Sequence, residues 1–554
     1  MKQHSRILAM SLCAAMICGA AAIPAAAAEA AAQPSAFNRI LYQGGDFVLR
    51  GFVNTLCALM PGGHIPASYT QSPDFYPGME AFLDEPPGDG GWRLGYARAS
   101  LIPPGLFDPE TGEYIGGNDV YVGGGPFGKD QTPLIDRKTP LRLLDDLCVR
   151  VTALNDGSGR GTVVLASIDS YALTSYDVRG IRALLRQFAA DNNLVSINIG
   201  VLHQHSAIDT FGLNGPMLGG LFLNPLANLT GLFKPYSGKN QAYMEHLYAT
   251  VSNAIKEAVG NLETGKLYYG MADASAFMHD KRPPEVLDED LHRLRFVPDA
   301  AGGRETWLVN YSAHCTTLGA NDRIVSGDYP YFMEEAVNAQ DANFQMIQGA
   351  ILAAGYDGTP VAAEGKSAYD ITRDYGHALG RRLAGIAGEA ELPALLNVRH
   401  AEFRIPLDNP LHLLLCRTGM VRFESVRRRR LGAAMDLITE TGYMELGDRL
   451  AVAFAPGEIE PALAFGGGLS AAEACTGEEF IFTPMKDMVR GERELLVFGV
   501  MNDRSGYYLL PNDIHPFVEF VNEELNASST KAAQGLLEAF EEIVPAEAAR
   551  TIQQ

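Results

Sequence analysis

The clearest hydrophobic patterning in the chain begins near residue 160. GTVVLASID, residues 161–169, is an apolar run of strand length. SYDVRGIRALLRQF (175–188) follows, with Val178, Ile181, Leu184, Leu185 and Phe188 recurring at helical spacing on one face. VSINIGVL (195–202) is a second strand, so the pattern predicts a β-α-β unit with parallel strands. TWLVNYSA (306–313), RLAVAFA (449–455) and LLVFGVM (495–501) read as further strands. Together they predict an α/β (α+β) fold, with mixed β-sheets and β-α-β units covered by helices.

Composition narrows the class. The 554 residues are 47% apolar and 20% charged, which allows a sizeable core in one large domain or several ordinary ones. Lys and Arg number 44 against 66 Asp and Glu, a formal charge of −22 that argues against nucleic-acid binding. The run Arg427 to Arg430 is the local exception, expected as a solvated face or a partner for nearby carboxylates. Lys2 and Arg6 precede an apolar stretch and a small-residue site, so residues 1–28 read as a signal peptide cleaved after Ala28. That leader implies a secreted or periplasmic protein. No later run is long and apolar enough for a transmembrane segment.

Residues 29–90 show little periodicity and are expected as a lead-in that packs on the body or stays mobile. The scattered cysteines Cys57, Cys148, Cys315, Cys416 and Cys475 suggest no disulfide framework, with one or two bridges left open. GGGPFGK (123–129) nearly matches a phosphate-binding loop, but Asp130 stands where Ser or Thr would meet magnesium. It reads as a glycine-rich loop only.

The candidate chemistry sits at strand ends. His203 and His205 follow the second strand of the β-α-β unit, and His314 follows TWLVNYSA. Pro456-Gly457-Glu458 follows RLAVAFA, and Asn502 to Tyr508 follows LLVFGVM. In open α/β sheets ligands collect beyond the carboxyl ends of strands, so side chains from separate strands can converge there. Each motif alone is as readily a loop histidine, a turn or an edge aromatic. Two or three imidazole nitrogens with an anionic oxygen suit Zn2+. FGLNGPMLGGLFLNPLANLTGLF, residues 211–233, is either a buried loop or short helix, or an apolar lip that receives an acyl chain or makes peripheral membrane contact.

Taken in order, these segments resemble the catalytic domain of the neutral (alkaline, non-lysosomal) ceramidases over residues 91–545. The segments that carry the likeness are GYARASLIPP, LLDDLCVRVTALND, VVLASID, DVRGIRALL, GVLHQHSA, DKRPPEVLDEDLHRLRF, NYSAHCTTLGANDRIVSGDYP, PGE and NDRSGYY. The resemblance implies a secreted zinc-dependent amidohydrolase that cleaves the N-acyl amide of a ceramide-like lipid with a zinc-activated water. It implies His203, His314, Glu458 and Tyr507 as the metal ligands. His205 is then the proton-transfer group, with Tyr507 counted also among the catalytic residues. Arg282 contacts the substrate or its developing oxyanion, with Lys281 as the competitor at that position.

The chain departs from the family pattern in several places. QMIQGAILAAGYDG (345–358) lacks the family's Ser-Pro-Asn and moves its acidic residue to Asp357. Arg504 replaces the first tyrosine of the last motif, and Ala207-Ile208-Asp209 replaces Gly-Pro after the histidines. No carboxyl-terminal immunoglobulin-like domain is expected. These changes leave two alternatives: a hydrolase of the same fold acting on another N-acyl amide or ester, and a non-catalytic lipid- or glycan-binding relative.

Overall fold

Side chains alternate across a strand, so in a two-sheet protein each strand sorts its apolar residues between two layers. The computed structural model describes residues 36–60, 64–88, 90–116, 120–123, 142–214, 217–319, 324–352, 354–356, 360–361, 364–429, 432–519 and 521–545. The expected leader, most of the glycine-rich loop after Gly123, and Asp357 lie outside them.

The first sheet contains β1 (Trp92–Ser100), β2 (Cys148–Asn155), β3 (Thr162–Ile168) and β4 (Leu194–Val201), then β5 (Glu263–Asp273), β6 (Asp290–Pro298), β7 (Glu305–Tyr311) and β8 (Ala342–Gln348). Their order is β8-β7-β6-β5-β1-β2-β3-β4, with Ala390–Leu392 also paired to β5. Its centre is antiparallel, and the parallel pairs β3–β4 and β7–β8 lie at its two edges. The second sheet runs β9 (Leu396–Pro406), β10 (Met435–Leu446), β11 (Leu450–Phe454) and β12 (Glu494–Phe498), with Ser425–Arg427 also paired to β10. There β11 and β12 are parallel.

The sheets pack face to face. Val163, Leu165, Leu294, Phe296 and Leu308 of the first meet Met444, Leu450, Val452, Phe454, Leu496 and Phe498 of the second. The helices are α1 (Ala36–Leu59), α2 (Ser175–Ala183), α3 (Met217–Thr230), α4 (Gln241–Gly260), α5 (Asp328–Asn338), α6 (Ala368–Ala384), α7 (Pro410–Thr418) and α8 (Ala532–Ile543). The opposite face of β3, through Val164, Ala166 and Ile168, packs on α2 and α4. Val309, Tyr311, Phe344 and Met346 of β7 and β8 pack on α5 and α6. Ala451, Ala453, Leu495 and Val497 of the second sheet face α7 and α8. The layers are therefore helix, sheet, sheet, helix, and the α/β expectation holds.

Two local expectations change. The 175–188 helix breaks after Ala183 and resumes as Arg186–Asp191, leaving Leu184 54% exposed rather than on the buried face. A capping box between Thr174 and Asp177 fixes its start. Within 29–90, α1 is a 24-residue helix whose Val53, Leu56 and Cys57 are buried, with Leu49, Phe52 and Met60 packed beside them. That spacing is helical, diluted in sequence by Gly44, Gly45 and Gly51. All five cysteines in the described residues are free thiols.

Candidate functional site

Strands β4, β7, β11 and β12 end at Val201, Tyr311, Phe454 and Phe498, and the loops that follow carry the candidate residues. His203 lies two residues beyond β4 with a backbone φ of 60°, a left-handed conformation that costs a non-glycine residue about 1 kcal/mol or more. Its neighbours hold it there. The ring stacks on Tyr171 with centroids 4.9 Å apart, and Nδ1 lies 2.6 Å from the Tyr171 carbonyl oxygen. A carbonyl only accepts, so Nδ1 carries the proton and Nε2 presents its lone pair. Next to it, the Gln204 side-chain amide donates to Asp169 at 2.8 Å, and Asp169 accepts from the fully buried Arg150 at 2.9 Å. The residue between the histidines thus anchors both.

The His203 Nε2 lone pair points at other polar atoms. It lies 3.3 Å from His205 Nε2 and 3.3 Å from Glu458 Oε1. Glu458 Oε2 is 2.9 Å from His314 Nε2. Ligand atoms of His203, His205 and His314 all fall within 4.8 Å of one another. The structure brings these four residues together from both sheets.

The approach of the last two motifs is set by glycine. Gly457 has φ 125°, and a Cβ there would collide with the carbonyl of Gly506. The short parallel bridge that results pairs Glu458 with Tyr507. The Glu458 carboxylate raises the Tyr507 phenol, after burial as the larger cause, well above its ordinary range. Arg504 donates from Nη2 and Nε to Glu458 Oε1 at 2.9 and 3.1 Å. Burial pushes the Glu458 carboxyl up, but the neighbouring His203, the Arg504 guanidinium and the bond to His314 hold it well below the ordinary carboxylate range. Burial, reinforced by the neighbouring His203 and His314 rings, holds His205 well below the imidazole range.

A largely buried cluster of three imidazoles and an ionised carboxylate has the chemistry of a cation site. Imidazole nitrogens and a carboxylate oxygen are ligand types that zinc takes, and His205 offers a further nitrogen. The residues fit such an ion. Arg504 already meets the carboxylate as a permanent cation.

Arg282 and Lys281 are placed differently. Arg282 Nη2 meets Glu524 Oε1 at 3.1 Å and Asp513 Oδ2 at 3.2 Å, and its Nε is 3.9 Å from Glu460. The charge of Lys281, by contrast, acts on both His205 and His314. Lys281 lies against Gly355, where a Cβ would collide with its Cε. Gly355 belongs to QMIQGAILAAGYDG, and its strand Ala354–Tyr356 pairs with Met278–Asp280. Asp209 of the altered Ala-Ile-Asp accepts from the backbone amides of Phe211, Gly212 and Asn214 at 2.8 Å, which closes a loop.

Tyr171, Gln204, Asp169 and Arg150 are the site neighbours that sequence reasoning does not reach. Only Gln204 carried a local signal, by standing between the two histidines.

The fold class is a four-layer α/β sandwich with this cluster beyond the ends of parallel strands in both sheets. No family model matches the chain, and no curated protein matches it in sequence. In fold it is similar to neutral ceramidase from Pseudomonas aeruginosa, with a TM-score of 0.57 at 14% identity over 83% of this chain and 76% of that one. A second solved structure, a ceramidase complexed with C2, gives a TM-score of 0.57 at 14% identity, covering 83% of this chain and 77% of that one. The fold expected from the resemblance is therefore the one found.

Proposed function

We propose that the protein is a zinc-dependent amidohydrolase of ceramidase type, cleaving the N-acyl amide of a ceramide-like lipid. The observation that carries this reading is the convergence of His203, His205, His314 and Glu458, in which Glu458 meets His314 at 2.9 Å and His203 at 3.3 Å across loops from separate strands. His203, His314 and Glu458 would hold the ion, with Tyr507 beside Glu458 as the remaining ligand. Zinc bound there would supply Lewis acidity to a water and to the substrate carbonyl. His205, kept neutral by burial, takes a proton from the water and delivers it to the leaving amine. Lys281 or Arg282 would donate to the developing oxyanion, a contribution of about 3 kcal/mol per donor. The charge of Lys281 on both His205 and His314 favours it over Arg282, whose guanidinium is held by carboxylates.

Residues 217–230 form α3, on which Leu223, Leu226 and Leu229 are 52%, 48% and 63% exposed. Leu232 and Phe233 follow at 84% and 43% exposed. This apolar surface supports the reading of 211–233 as a lip that contacts lipid. No helix in the described residues is long and apolar enough to cross a membrane. Export through the leader at residues 1–28 would place the enzyme outside the cytoplasm.

The Arg504–Glu458 ion pair favours a second reading, a hydrolase of this fold turned to another N-acyl amide or ester, because the pair alters the charge at the centre. Assay of purified protein with fluorescent ceramide beside a panel of N-acyl amino acids and esters separates the two. Release of fatty acid from ceramide, lost on chelation and restored by zinc, is the expected result. Cleavage confined to the panel would reject the substrate and keep the chemistry. Inactivity on every substrate with zinc bound would reject both.

A further inference from the structure

A second group of ligand-type side chains lies where loop 469–478 meets loop 510–515. Ligand atoms of Cys475, Asp513 and His515 fall within 4.8 Å of one another. The two loops are stapled together by neighbours. The Asn512 side-chain amide donates to the carbonyls of Leu469 and Glu478 at 2.8 and 2.9 Å, and the Thr476 hydroxyl donates to the Asn512 carbonyl. Cys475 is thereby held beside Asp513, and its backbone amide donates to Asp513 Oδ1 at 2.7 Å.

His515 is oriented in the same way as many metal-bound histidines. Its Nδ1 lies 3.1 Å from Oε2 of Glu519, four residues further on, and its backbone amide donates to Glu524 at 3.0 Å. A carboxylate on one ring nitrogen fixes the tautomer and leaves the other nitrogen as an acceptor. Glu519 and Glu524 stand around the cluster, and the Arg282 guanidinium is shared between Asp513 and Glu524. The field therefore favours an added cation.

We propose that Cys475, Asp513 and His515 form a second cation site, separate from the histidine cluster, that takes a thiophilic divalent ion of the zinc class. One sulfur, one imidazole nitrogen and one carboxylate oxygen are ligands that zinc accepts in tetrahedral sites, and the sulfur disfavours magnesium and calcium. The thiol donates to Asp513 before the ion binds. Binding breaks the S–H bond and forms a metal–thiolate bond, with the proton released to solvent. The ion would tie loop 469–478 to the loop 510–515 that also grips Arg282, and so support the segment beside the first centre. The inference does not depend on what the first centre does.

The test uses the full-length protein, stripped of metal by chelation and titrated with Co2+. A near-ultraviolet thiolate-to-cobalt charge-transfer band should grow to saturation by two equivalents, the histidine cluster taking the other ion. The band should persist in His203→Ala and vanish in Cys475→Ser, whose zinc content should fall by one ion per chain. His515→Gln should keep the band and weaken Co2+ binding by ~10-fold or more. Wild-type protein that shows no such band at saturating Co2+ overturns the proposal, whatever the variants do. So does a band, or a zinc content, that is unchanged in Cys475→Ser. If His203→Ala leaves metal content unchanged while Cys475→Ser lowers it, the first centre fails and this one stands.

Discussion

At the scale of single residues, the cluster works because partners outside it fix proton positions. The Tyr171 carbonyl places the proton of His203 on Nδ1, and Gln204 ties the loop to Asp169 and Arg150. His205→Gln should lower kcat by about 10²–10⁴-fold while zinc content stays at the wild-type value, because only proton transfer is removed. A parallel loss of zinc would make His205 a ligand instead. Away from the site, burial raises Asp145 to about 7, and its carboxylate accepts from Ser326 Oγ at 2.6 Å. A carboxyl raised above its unfolded value of 3.8 favours the folded state at low pH, and that advantage is lost as pH climbs to about 7. Melting temperatures of Asp145→Asn relative to wild type should therefore rise steadily between pH 4 and pH 7. A difference that does not vary with pH would contradict this. At this scale the sequence showed residue types but not reach. Arg282 and Lys281 are adjacent, yet a long side chain can turn either way, and only the fold sends one to Glu524 and Asp513.

At the scale of elements, the strands and their ends were legible because burial on both faces leaves unbroken apolar runs. GTVVLASID, VSINIGVL and LLVFGVM each became a strand of a parallel pair. The antiparallel centre of the first sheet was not legible, since pairing partners lie far apart in sequence and period two says nothing of neighbours. α1 was hidden by its glycines, and the break at Leu184 by an apolar spacing that continued through it. Helix α3 supplies the next expectation. Leu226 and Leu229 are 48% and 63% exposed, so changing both to Glu should leave the melting temperature nearly unchanged. Cosedimentation with zwitterionic vesicles should fall several-fold, and in the wild type it should be insensitive to salt. A chain with net charge −22 gains nothing from anionic headgroups. Equal vesicle binding by the wild type and the double variant would remove α3 from lipid contact.

At the scale of the whole molecule, the cluster depends on two sheets held at fixed separation. Phe454, 1% exposed, ends β11, and its ring meets that of Phe498 edge-on at 5.7 Å. Phe454→Ala should cost about 3–5 kcal/mol in denaturant unfolding and loosen the loop that carries Glu458. A loss under about 1 kcal/mol would show that the inter-sheet core is not what holds that end of β11. Within the arginine run, Arg427 donates to the Ile65 carbonyl at 2.9 Å and Arg428 pairs with Asp436 at 3.0 Å. These bonds accord with a run that serves its own surface. The central claim is that loops from four strand ends in two sheets form one zinc centre, and anomalous scattering from a zinc-grown crystal on either side of the zinc edge tests it most directly. The prediction is a peak bonded by His203 Nε2, His314 Nε2, Glu458 and Tyr507. A map with no peak among those atoms at full zinc exposure would contradict it.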